Sequence, residues 1–192
     1  MIPKLNLVSA LAALVFFFLP WVRIECRGER MATQTGVQMI LGSATATERT
    51  DKDAVKVSRE GDSLGHSYWA GFALVAVIGA LLMALAALIV GRRDLDHGCG
   101  ILCVVALACL LLQLSVGFPA ERAIREELAK PPAQAAAAGD PLGGLGQALA
   151  GEVARAVRVA PAPGFYWELG ALALPALILG NAFLDRIKAK DS

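Results

Sequence analysis

Charge is scarce in this sequence, and so are the residues that do chemistry. Only 18% of its 192 residues are Asp, Glu, Lys or Arg, where a soluble domain carries about 25%. The 18 basic and 17 acidic side chains leave a net charge of +1, so no bulk field draws the chain to nucleic acid. There are two His and four Cys, little material for a metal or haem centre. His66 and His97 fall at opposite ends of the apolar segment between them, too far apart in depth for a bis-His haem. No metal-ligand spacing, Gly-rich phosphate loop or Gly-x-Ser-x-Gly elbow occurs. Neither does an Asn-x-Ser/Thr glycosylation acceptor. The expectation is a protein that is not an enzyme and holds no cofactor.

Apolar residues, by contrast, make up 56% of the chain, and the mean hydropathy is +0.57. That balance excludes disorder, which needs the reverse. A bilayer core of about 30 Å calls for about 20 apolar residues of helix. Four stretches free of Lys, Arg and Asp meet or approach that length: Leu5 to Val22, Tyr68 to Val90, Cys99 to Phe118 and Phe165 to Leu184. The first reads as an uncleaved anchor rather than a signal peptide, because no small-x-small cleavage site follows Phe16-Phe17-Phe18-Leu19. Aromatic residues stand at the ends of these stretches: Trp21; Tyr68 and Trp69; and Phe165, Tyr166 and Trp167. They occupy the interfacial belt position.

The chain therefore divides into transmembrane helices over 1–22, 68–90, 99–118 and 165–184. Extracytoplasmic loops cover 23–67 and 119–164, with a cytoplasmic link at 91–98 and a cytoplasmic tail at 185–192. Orientation follows from basic residues. Lys4, Arg92, Arg93, Arg186, Lys188 and Lys190 crowd into about twenty positions on one side, while twelve others spread over about ninety. Both termini are expected in the cytoplasm. The fold class is thus an integral membrane, mainly α protein: a four-transmembrane-helix bundle with a small extracytoplasmic β-sheet and helical cap.

The first loop opens with Val22-Arg23-Ile24-Glu25-Cys26-Arg27, alternating apolar and polar as a half-buried strand does. A turn at Arg27-Gly28-Glu29, a return strand over Arg30 to Thr35 and a further strand over Ala54 to Ser58 predict a sheet of about three strands. In the second loop, Glu121 to Arg125 and Arg122 to Glu126 are helix-supporting pairs. Leu142, Leu145, Leu149, Val153 and Val157 recur at steps of three or four and mark one apolar helix face.

The intramembrane polar residues Ser9, Gln113, Ser115, Glu168 and Asn181 are the candidate sites, because each is costly in lipid. Gln113 shares a face with Cys99, Cys103, Ala106, Leu110 and Gly117, and reads as a helix contact with an interhelical hydrogen bond. Glu168 lies about one turn inside the fourth span and is expected to reach the outer interface or a loop arginine, with a proton site as the alternative. Asn181 lies deeper. Pro175 removes a backbone donor and predicts a kink. The second span carries Ala73, Ala76, Ala80, Ala84 and Ala87 in one stripe, which admits a close neighbour. Cys26 is the single thiol outside, so no intrachain disulfide is expected there, and a membrane redox enzyme is a remote alternative.

Four spans, inside termini, a strand-forming first outer loop and a second outer loop make a layout similar to the claudin-type tetraspan plan. The resemblance is architectural only. Claudins carry a Trp and two Cys in the first loop, where this chain has Trp21 and Cys26 alone, so no barrier function or site residue is carried over. Ala, Gly and Arg usage fits a bacterial inner-membrane protein. The expected partners are the lipid bilayer and either other membrane subunits or a second copy of the chain. The expected role is a structural or accessory subunit that binds partners through its extracytoplasmic loops and small-residue helix faces. A small transporter or channel using the Pro175 helix, with Glu168 or Asn181 at its site, is the alternative.

Overall fold

The computed structural model describes residues 2–27, 29–46, 65–123 and 157–190. Helix α1 (Ile2–Phe16) is 15 residues long and gives way to strand β1 (Pro20–Cys26). The apolar run continues to Val22, but the helix does not. Pro20 disfavours helical geometry in the residue before it, and the Phe16 carbonyl at the end of α1 accepts both the Leu19 N–H at 3.0 Å and the Trp21 indole Nε1–H at 2.9 Å. Residues 20–22 are therefore strand, a correction to the expected span over 1–22.

Strand β2 (Glu29–Thr35) returns antiparallel to β1 after Arg27, which takes a left-handed φ of 53°. A short helix, α2 (Gly36–Leu41), follows at once. It is started by a reciprocal capping box, in which the Gln38 amide N–H donates to Thr35 Oγ1 at 3.2 Å and the Thr35 N–H donates to Gln38 Oε1 at 2.9 Å. Gly42, at φ 73°, closes it. The two-residue strand β3 (Thr45–Ala46) lies on β2, and β4 (Val157–Pro161) lies antiparallel on the other side of β1. The sheet order is β3-β2-β1-β4, three full strands with a two-residue fourth at the edge. Val157 belongs to β4 and not to the expected helix face, because pairing with Cys26 on β1 fixes it as strand. The rest of that face, and the strand expected over Ala54 to Ser58, lie outside the described residues.

Helix α3 (Tyr68–Val90) starts at the cap Ser67, whose Oγ accepts from the Ala70 N–H, and stops at Gly91 with φ 71°. Only Gly91 and Arg92 separate it from α4 (Arg93–Val116). The expected link over 91–98 is thus mostly helix, and Asp94 and Asp96 sit in the first turn of α4, where the helix dipole favours acids. Gly117, at φ 86°, ends α4. Helix α5 (Pro163–Lys190) opens on a proline, suited to a first helical turn, and carries the expected tail with it as helix.

Among the described residues, three helical stretches are long and apolar enough to cross a bilayer: Tyr68–Val90, Asp94–Ala123 and Pro163–Leu184. Helix α1 is shorter, about 22 Å at 1.5 Å per residue. The four pack as a ring in the order α1, α3, α4, α5 and back to α1. Ala10, Ala13, Ala73, Ala80, Cys103, Ala106 and Leu172 are among the buried side chains of the interior. Phe72, Val75, Leu82, Ile89 and Leu177 face outward, an apolar surface of the kind lipid covers.

Candidate functional site

The sheet sits on the bundle through one aromatic cluster. Trp21, completely buried on β1, lies 4.5 Å from the Phe17 ring and 5.5 Å from Phe165 at the start of α5, and Phe165 lies 5.7 Å from Phe118. Glycine makes room for it. A Cβ at Gly36 would stand 2.8 Å from both the Phe17 and Trp21 rings, and one at Gly164 would stand 2.5 Å from the Pro20 carbonyl oxygen. This cluster closes the sheet end of the interior.

Below it lie the polar side chains. Gln113 is fully buried on α4 and accepts a hydrogen bond from Ser67 Oγ at the start of α3, while its Nε2 donates to the Gly117 carbonyl at 2.7 Å. One amide thus joins two helices and helps satisfy the end of α4. Cys99, Cys103, Ala106 and Leu110 share its buried face, because steps of four and three keep a residue set on one side of a helix. Cys99 and Cys103 lie one turn apart on that face, both fully buried.

The alanine stripe of α3 is buried from Ala70 through Ala87. It faces the interior of its own bundle, where small side chains let α1 and α4 approach, so it is not a free surface for another chain. Contact pairs set the register of the hairpin: a Cβ on Gly98 would meet Met83 at 2.7 Å, and one on Gly79 would meet Leu102 at 3.1 Å.

Glu168 does not reach the outer interface. Its exposure is 0%, and neither carboxylate oxygen has a hydrogen-bond partner among the described residues. The reason is rotational: Phe165, Glu168, Leu172 and Pro175 fall on one face of α5, and all are buried. Trp167 and Tyr166 take the outward positions instead. Pro175 turns its ring inward within a helix that continues to Lys190. Asn181 is exposed on the outward surface and shares no interior position with Gln113 or Glu168. Cys26 is half-buried at the end of β1 and unpaired, as are the three helix thiols.

One interior residue, Asn6, escaped the sequence reading as a site, while Ser9, one turn on, is among the sequence candidates. Asn6 and Ser9 on α1 are 3% and 6% exposed, and Asn6 Oδ1 has no partner among the described residues. Their spacing of three on an otherwise apolar helix was the available signal. Helix α2 was also missed, although Thr35-Gly36-Val37-Gln38 spells its capping box. No protein-family model and no curated protein matches this sequence.

Proposed function

We propose that this chain is a multi-pass membrane protein with four spans, a structural or accessory subunit that uses its outer cap to hold a partner. The observation that carries the reading is the union of sheet and bundle through Trp21. This residue caps α1, belongs to β1 and is buried against α5 through Phe165. A sheet anchored so directly presents its strands in a fixed orientation to whatever approaches from outside. The alanine stripe of α3 is spent inside the bundle, which leaves the cap as the surface for binding.

The fourth span is α1. An edge-to-face contact of Phe16 with Trp167, ring centroids 5.8 Å apart, sets the two helices level. From there α1 reaches about 21 Å down to Ile2, against about 25 Å for α5 down to Leu184. Lys4 then stands at the same end as Arg92 and Lys188, and both termini are cytoplasmic by the density of basic residues. Ala, Gly and Arg usage supports a bacterial cell membrane as its location, with lipid covering the outward apolar faces.

Site-directed photocrosslinking in native membranes tests the role. Photoreactive residues at Arg30 and Met31, exposed on β2, should give protein adducts of one discrete mass. The same probes at Leu82 and Ile101, exposed on the helices, should give none. A monomer with no adduct from the cap would overturn the accessory role.

A further inference from the structure

Among the described residues, Glu168 is the one acidic or basic side chain that is fully buried. A carboxylate sealed from water without a hydrogen bond is tolerated only when its charge is cancelled. The elements packed around it supply no counter-charge. From α1 come Asn6 and Ser9, which do not titrate, and from α3 alanines and Ser67. The interior face of α4 supplies the thiols of Cys99, Cys103 and Cys109, of which Cys103 lies within electrostatic reach of the carboxylate. On the sheet side, Arg23 of β1 keeps a buried Nε with no partner of its own and makes no bond to Glu168, and Glu25 is half-buried beyond it. A hard metal ion wants six or more oxygen ligands. Beside Glu168 the interior oxygens are those of Gln113 and Ser67, which bond to each other, and of Ser9 and Asn6, about 9 and 13 Å further along the axis, too few at any one level. The cation that needs only the carboxylate itself is a proton.

We propose that Glu168 is a proton-binding site, exchanging its proton with water through the end of the bundle remote from the sheet. On uptake an O–H bond forms at one carboxylate oxygen and a hydronium ion reverts to water, and release reverses both. The direction follows from what lies on either side. Toward the sheet, Phe165, Trp21 and Phe118 close the interior within one turn of Glu168. Away from it, Ser9 and Asn6 stand about 9 and 13 Å further along the axis. The orphaned Oδ1 of Asn6 marks a place for water, since buried polar atoms are rarely left without a partner. This site does not depend on the accessory role proposed above.

Infrared difference spectroscopy of the full chain in lipid vesicles, stepped between acidic and alkaline buffer in H2O and D2O, tests the site. The expected result is a carboxylic C=O band that disappears in alkali, shifts in D2O, is absent in Glu168→Gln and moves in Glu168→Asp. Deuteration of that band should slow several-fold in Asn6→Leu and stay unchanged in Phe165→Leu. If the wild-type spectrum lacks a band that Glu168→Asp moves, or the band ignores both pH and D2O, the proton site is overturned. If Phe165→Leu alters the exchange and Asn6→Leu does not, the route runs through the sheet end and the proposed direction is overturned.

Discussion

Gln113 bonds to groups on two helix ends, Ser67 at the start of α3 and the Gly117 carbonyl just past α4. Replacing it with Leu leaves a buried hydroxyl donor and a carbonyl without their partner, a loss of about 1–3 kcal/mol. The thermal midpoint of the detergent-solubilised protein should fall accordingly, and Ser67→Ala, which also removes the cap of α3, should lower it further than Gln113→Leu. Gly36 and Gly164 matter for their missing Cβ. Gly36→Ala must displace the Phe17 and Trp21 rings, an overpacking cost of about 1–3 kcal/mol. Gly164→Ala meets the Pro20 backbone as well as the Leu19 Cβ, neither of which can swing aside as a ring can, so it should destabilise more than Gly36→Ala in the same assay. At this scale the sequence was uneven to read. The polarity and face of Gln113 were legible from spacing alone. The fate of Glu168 was not, because one turn of helix from an interface is compatible with either side, and only the rotation that buries Phe165 and Leu172 decides which.

Helices α3 and α4 show why small residues dominate the interior. Ala80 and Ala84 are fully buried, while Leu82 between them is exposed. Ala80→Leu should push α3 off its neighbours and cost about 1–3 kcal/mol. Leu82→Ala should leave the midpoint nearly unchanged, since lipid tails are as apolar as the side chain removed. Equal losses from the two would contradict the arrangement of the faces. Element boundaries were legible wherever local chemistry set them. Tyr68–Val90 is bounded by Ser67 and Gly91, a cap and a stop visible in the sequence. They were illegible where a partner set them: β4 exists as strand because β1 is there to pair with it, and its Val157 otherwise continues a helical period. The early end of α1 lies between these cases. Pro20 was visible, but the Trp21 indole bond to the Phe16 carbonyl requires the turn to be folded first.

For the whole molecule, three apolar helices long enough to cross a bilayer were readable from composition, because lipid demands continuous apolar length. The contribution of α1 rests on packing, not length. It fills the ring between α3 and α5, and its orphaned Asn6 faces the same interior as Glu168. If α1 spans, the sheet and the two termini lie on opposite sides of the membrane. Labelling of single cysteines with an impermeant maleimide in sealed vesicles measures this directly, using Lys4→Cys, Arg30→Cys and Lys188→Cys in a background with Cys26 replaced by Ser. All three positions are exposed. The account predicts that Lys4→Cys and Lys188→Cys react from one side and Arg30→Cys from the other. Reaction of Lys4→Cys from the same side as Arg30→Cys would reduce the chain to three spans and contradict it.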